Sequence, residues 1–265
     1  MALIYEPAGR AREYAALACN VYRGCDHACS YCYAPAATRR QRDDFRHPVP
    51  RTDFLPALRR EAEARAPSEP ILLCFTCDPY QSLDEKLGTT REAIKILHDA
   101  GHAVHILTKG GSRALRDIDL LTPRDAFATT LTLLDDGASL EWEPGAALPS
   151  DRIATIREFH GAGVPTWVSL EPVLDPDIAL DIIRKTHRFV DLFKVGRLNY
   201  SEHARSIDWA GFAARAVDLL ESLGKKFYVK RDLAVFLPPA RLEHIAPAQS
   251  PRAPGRAPSP GMFGG

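Results

Sequence analysis

The 265 residues carry 34 Lys and Arg against 34 Asp and Glu, a formal net charge of zero, with 45% hydrophobic and 26% charged residues. That balance excludes a protein held along nucleic acid by an overall basic charge, and no apolar run approaches the roughly 18 residues of a membrane span. The opening MALIYEPAGRAREY lacks the basic start and apolar run of a secretion signal, so one cytoplasmic, membrane-free, monomeric protein with a large core is expected.

In chain order, strands are expected at Ala16–Tyr22, Ile71–Cys77, Ala103–Leu107, Ala126–Leu133, Thr166–Val173, Leu192–Val195 and Lys226–Val229. Amphipathic helices fall between them, near 53–66, 89–100, 112–121, 151–162, 177–187 and 208–223. Thr89-Thr90 offers N-cap chemistry for the second helix, and Gly101, Gly163 and Gly224 stand where helices stop. Strand–helix alternation implies parallel strands joined by crossovers. Six such units and a short last strand are too few to close an eightfold barrel. A partial, open (β/α)6 barrel over residues 1–237 is expected, with reactive groups at strand C-termini and in the loops after them. Residues 238–265 hold seven of the 21 prolines without sustained periodicity, which predicts a disordered tail.

Six cysteines stand at 19, 25, 29, 32, 74 and 77. Their clustering suits metal binding or redox chemistry better than a disulfide framework. The segment N-V-Y-R-G-C-D-H-A-C-S-Y-C-Y-A-P, residues 20 to 35, sets C-x3-C-x2-C directly after the first strand. Three thiolates on one loop can each take one iron of a cubane cluster, leaving a fourth iron open. The alternative is a zinc knuckle completed by Cys19 or His47, but structural zinc wants four protein ligands and a fourth is missing nearby.

Cys25, Cys29 and Cys32, with Tyr31 before the last, resemble the radical S-adenosylmethionine (radical SAM) superfamily. The resemblance implies a [4Fe–4S] cluster on those cysteines, S-adenosylmethionine on the open iron, and Tyr31 packed beside its adenine. It also implies an electron donor of flavodoxin or ferredoxin type. A longer series, Thr76-Cys77-Asp78-Pro79-Tyr80-Gln81, Thr90-Arg91, Leu107-Thr108-Lys109, Arg116 to Leu121, Glu143-Pro144-Gly145-Ala146 and Arg152, is similar to the spore photoproduct lyase-like branch. Ser169-Leu170-Glu171-Pro172-Val173 and Phe227-Tyr228-Val229-Lys230 are similar instead to a phage-associated relative of that branch. The implied substrate is a nucleobase or nucleic acid, with a small molecule, peptide or protein as the alternative.

By the same resemblance Lys109 pairs with the cofactor's carboxylate, and Thr76 or Asp78 takes its amino group. Asp78 also suits a turn cap before Pro79. Thr130 and Thr132 are candidates for ribose contacts, although β-branched residues in a strand are more often structural. Period-two geometry puts Cys74 and Cys77 on opposite faces of the second strand unless it ends between them. The resemblance to spore photoproduct lyases implies a cysteine of this strand that returns hydrogen to a substrate radical; Cys77, at the strand end, is the candidate, while Cys74 and Cys19 pack. Glu171, Arg197, Asn199, Lys230 and Arg231 converge at the barrel mouth, with a Glu171–Arg197 ion pair as the structural alternative. Arg39, Arg40, Arg42, Arg46, Arg51, Arg59 and Arg60, interleaved with acids, read as a solvated helical face or a basic rim.

Overall fold

The computed structural model describes residues 2–199 and 201–242. Ten strands are present there: β1 (Ile4–Tyr5), β2 (Leu17–Cys19), β3 (Tyr22–Arg23), β4 (Val49–Pro50), β5 (Ile71–Leu73), β6 (Val104–Thr108), β7 (Ala126–Thr130), β8 (Thr166–Val173), β9 (Leu192–Arg197) and β10 (Lys226–Val229). Eight form one sheet in the order β1-β2-β5-β6-β7-β8-β9-β10, and β3 pairs with β4 in a separate two-stranded antiparallel sheet. From β2 to β10 every pairing is parallel, and only the edge strand β1 runs antiparallel. The sheet does not close, so the expected open α/β half-barrel is the fold. The tail assigned to 238–265 lies mostly outside the described residues; within them, Pro239–Leu242 forms one helical turn.

The crossover helices follow the sequence pattern closely: Phe54–Ala64, Thr89–Asp99, Pro149–Gly161, Pro176–Thr186 and Trp209–Ser222. The segment Gly111–Leu120 is a 3-10 helix. Its Gly110 neighbour must be glycine, since a Cβ there would meet Tyr80 at 2.5 Å. Thr89 is not the cap of its helix. Gly88, at φ 62°, takes that position, and the Asp84 carboxylate accepts the buried amide of Thr90 at 2.9 Å.

The sheet buries two layers. Its outer face meets the helices through Leu73, Ile106, Phe127, Val168, Phe193 and others. Its inner face carries Ala18, Leu72, Ala126, Ala128, Trp167 and Leu192, capped by Tyr14 and Ala15. The small residues of β7 leave room for the Trp167 indole, since Ala128 pairs directly with it. Beyond this layer the inner face of the late strands turns polar, with Ser169, Glu171, Lys194, Tyr228 and Lys230. The N-terminal segment around Gly9–Glu13 closes this side. Glu13 accepts from the Tyr228 hydroxyl at 2.8 Å and the Arg231 amide at 2.9 Å, and Lys194 donates to the Tyr14 carbonyl at 2.8 Å.

Candidate cofactor and substrate cavity

Three sequence-predicted strands stop short of their expected ends, and each early stop shapes the site. The first breaks at Asn20, whose side chain crosses to the segment after β5: its Oδ1 accepts the amides of Phe75 and Thr76 at 2.8 and 2.9 Å. Those amides are therefore unavailable to a ladder, and β5 ends at Leu73 rather than Cys77. Residues 74–78 form a turn, so Cys74 and Cys77 do not lie on opposite faces. Their sulfurs accept the consecutive amides of Val21 and Tyr22, at 3.4 and 3.5 Å. The third shortened strand, β7, ends at Thr130, and Thr132 leaves the strand face.

Cys25, Cys29 and Cys32 occupy the loop after β3, which is fixed on every side. Gly24 (φ 91°) lets it turn, because a Cβ there would meet the Phe45 carbonyl at 2.6 Å. Cys25 donates its amide to that carbonyl at 2.9 Å, and Ser30 donates to the Trp142 carbonyl at 2.8 Å. Gly145 presses against the loop so closely that a Cβ would stand 2.1 Å from the Asp26 oxygen. Arg42 grips the carbonyls of Cys29 and Cys32 at 3.0 and 3.1 Å. The arginine-rich stretch is thus not one helical face: Ala34–Ala37 and Arg42–Phe45 are single turns, separated by Arg39 at φ 55°.

Burial pushes the Cys29 thiol up to about 11, opposed by the Lys109 ammonium, and burial with Asp78 raises Cys25 well above the usual range. Burial would lower Lys109, but Cys29 and Glu143 outweigh it and raise its pKa. Its ammonium stands over the Tyr31 ring at 5.5 Å. Among the described residues no three His, Cys, Asp or Glu side chains converge as ligands of a single ion. One iron per thiolate, as in a cubane, asks instead for three soft thiols held apart on a loop, and the cysteine loop with its cation at Lys109 fits that group.

Behind Tyr31 lies an ion pair that the sequence did not assign. Glu143 and Arg152 are both fully buried and salt-bridged. Glu143 also accepts from the Tyr31 hydroxyl, from Thr132 at 2.9 Å and from Ser139 at 3.4 Å. Arg152 donates to the carbonyls of Ala147 and Thr130, at 2.7 and 2.9 Å. With every polar group paired, the carboxylate stays ionised: burial opposes this, but Arg152 and Lys109 hold its pKa down. Thr132 is therefore corrected from a ribose contact to a support of Glu143.

A cavity of about 470 Å³ opens between the cysteine loop and the strand ends. Cys25, Cys29, Cys32, Tyr31 and Lys109 line one end; Cys74, Phe75, Thr76, Cys77 and Asp78 line one wall, with Thr130 beside Lys109. Asp78 fills its turn-cap role fully, accepting from the Tyr80 amide (2.9 Å), Thr108 hydroxyl (2.5 Å) and Lys109 amide (2.7 Å). Of the two candidate partners for an amino group, Thr76 is the less committed.

At the far end stand Glu171, Arg197, Asn199 and Lys230, with Arg10 and Tyr14 from the N-terminal segment. Glu171 pairs with Lys230 at 2.5 Å, not with Arg197, and the same oxygen accepts from Tyr14. Gly196 makes this possible, since a Cβ there would stand 2.9 Å from both side chains. Arg197 has no carboxylate partner among the described residues; its guanidinium lies 5.6 Å from the rings of Trp209 and Phe236. Asn199 donates to Asp232 at 2.6 Å. The contributions of Arg10, Tyr14 and Arg42 were not legible, because each acts far along the chain or through a backbone carbonyl.

An open parallel barrel whose first loop carries three thiols, facing a cavity with a buried lysine, defines a cofactor-dependent β/α enzyme scaffold. Residues 19–190 match the Radical SAM superfamily. The chain belongs to that superfamily, which uses a [4Fe–4S] cluster and S-adenosylmethionine. An uncharacterized protein of Mycobacterium tuberculosis is 31% identical over 172 residues, covering 58% of this chain and 48% of that protein. One of Methanocaldococcus jannaschii is 25% identical over 184 residues, covering 68% and 69%. The chain thus spans about half the length of the mycobacterial relatives.

In fold it is similar to spore photoproduct lyase complexed with dinucleoside spore photoproduct, with a TM-score of 0.64 at 15% identity, covering 85% of this chain and 79% of that one. It is also similar to Streptococcus suis SuiB bound to S-adenosylmethionine, with a TM-score of 0.58 at 15% identity, covering 83% and 51%. SuiB is also known bound to its precursor peptide SuiA. No helix among the described residues is long and apolar enough to cross a membrane.

Proposed function

We propose that this chain abstracts hydrogen from a nucleobase or nucleic-acid substrate in the cavity, in the manner of a lyase or modifying enzyme. Cys25, Cys29 and Cys32 hold the cluster, and the ammonium of Lys109 takes the carboxylate of S-adenosylmethionine. When bound, these cofactors supply a 5′-deoxyadenosyl radical by reductive cleavage of the sulfonium. The chain's residues do the positioning. Glu143 fixes the Tyr31 hydroxyl, and Thr76 and Thr130 present hydroxyls to the cofactor. Glu171 and Arg197 meet the substrate, and Cys77 offers a thiol hydrogen beside it. The basic side chains about the cysteine loop, Arg42 and Arg46 among them, suit an acidic flavodoxin- or ferredoxin-type electron donor.

The observation that carries the enzyme reading is the charged Lys109 beside the Cys29 thiol inside one cavity. The nucleobase reading is supported by aromatic wall residues, Phe75 and the 55% exposed Tyr33, in the same cavity as Arg197. The test is anaerobic reconstitution, expected to give about four irons per chain and 5′-deoxyadenosine. Lys109→Ala should weaken S-adenosylmethionine binding by about tenfold to a hundredfold with the cluster intact, from loss of a charge-assisted contact. Unchanged binding by calorimetry refutes that role. Deuterated oligonucleotides, nucleosides and peptides then compete: label entering 5′-deoxyadenosine only from peptides overturns the nucleobase reading.

A further inference from the structure

We propose that Cys74 and Cys77 form a redox-active dithiol in the cavity wall, closed to a disulfide by low-molecular-weight disulfides of the glutathione class. The inference is independent of the substrate. It rests on where the turn after β5 puts two sulfurs that the sequence pattern would have separated.

Three observations converge. Both sulfurs are anchored on one short backbone stretch, by the adjacent amides of Val21 and Tyr22, and they lie within interaction reach of one another. The turn between them is held rigid, with Asn20 accepting the amides of Phe75 and Thr76 and Asp78 capping its end. Both cysteines line the cavity, although they are only 4% and 9% exposed. The more accessible Cys77 meets an entering reagent first, and Cys74 stands behind it as the resolving thiol. Cys19, close by but fully buried and absent from the cavity wall, takes no part.

The chemistry balances without another reactant. The Cys77 sulfur attacks one sulfur of glutathione disulfide and releases one glutathione thiol. The Cys74 sulfur then displaces the second glutathione from the mixed disulfide. Overall the dithiol loses two hydrogens and two glutathione thiols form. Burial raises the Cys74 thiol well above its usual range, with the Val21 amide opposing, which slows the resolving step. The reaction is therefore a slow, reversible one, and it removes the cavity's two thiols outside the cluster loop.

The experiment uses the reconstituted, cluster-bearing chain, treated anaerobically with glutathione disulfide, then denatured, alkylated and digested with trypsin. Arg65 and Lys86 bracket Cys74 and Cys77 in one peptide, apart from the cluster loop and from Cys19. Wild type is expected to give that peptide less two hydrogens and unalkylated, and to regain both alkylation sites after treatment with a dithiol reductant. Cys74→Ser should stop at a glutathione adduct on Cys77, and Cys77→Ser should give neither product. Two alkylated cysteines in treated wild type, or a lasting glutathione adduct there, would overturn the proposal whether or not the variants fold.

Discussion

Arg152→Met tests whether the buried pair behind Tyr31 is as dry as its geometry says. The substitution keeps much of the side-chain volume and removes the guanidinium. It leaves the buried Glu143 with hydroxyl donors but without its ion-pair partner, and two carbonyls, of Ala147 and Thr130, lose the Arg152 donor. Removing one partner of a buried ion pair costs about 3–5 kcal/mol, and the two orphaned carbonyls place this case at the upper end. Against a total stability of about 5–15 kcal/mol, the urea midpoint should fall by roughly 2 M. Because Glu143 has a depressed pKa, its contribution is present above the unfolded carboxylate value and lost as pH falls through the lower folded one. The variant should therefore lose most stability at neutral pH and converge on wild type in acid. The assay is urea unfolding followed by circular dichroism at pH 7 and in acid. A midpoint within about 0.5 M of wild type at pH 7 would refute the reasoning, since water or a proton must then satisfy Glu143 at little cost.

Replacing Cys25, Cys29 or Cys32 by Ala should abolish the visible absorption of the reconstituted cluster, while Cys19→Ala, Cys74→Ala and Cys77→Ala should retain it; a full [4Fe–4S] signal in Cys29→Ala would exclude the assignment. If the Cys77 thiol donates hydrogen to a substrate radical, Cys77→Ala should still form 5′-deoxyadenosine and consume substrate but give different products by mass spectrometry, and identical products at equal turnover would return Cys77 to packing. Burial and the nearby Lys230 charge lower Lys194 to about 7, so the unfolded state binds more protons between pH 7 and the ordinary lysine value. The stability gained by Lys194→Met over wild type should be largest below pH 7 and shrink toward pH 10, read as the difference in urea midpoints. A gain that stays constant across that range would mean that Lys194 is not titrating inside the barrel.

Seven parallel strands and their crossover helices were legible because alternation between apolar runs and amphipathic segments is a local signal. The cysteine loop was legible because three cysteines spaced C-x3-C-x2-C stand out in the sequence itself. What escaped depended on single polar side chains acting across the chain. Asn20 takes two amides of the second parallel strand and ends it early, which no periodicity within residues 71–77 could reveal. Thr132 shares its strand pattern with Thr130, yet only Thr130 reaches the cavity, because Glu143 draws the other hydroxyl away. Glu171 was expected at the mouth and stands there. Its partner is Lys230 instead of Arg197, a choice set by the missing side chain at Gly196.

The bonds from Glu13 to Tyr228 and Arg231 join residues 215 and 218 positions apart. On the ribosome the chain emerges from its N-terminus, so the segment around Glu13 waits for nearly the whole described chain before finding its partners. The cysteine loop, β3 and β4 depend mainly on neighbours already synthesised by residue 152. The two ends of the cavity therefore mature at different times, the thiol-bearing end first and the polar end last. Contacts of such long range are also slow to form. A chain released before β10 would carry its cysteine loop but lack Lys230 opposite Glu171, leaving the thiol-bearing end of the cavity without the polar wall that faces it.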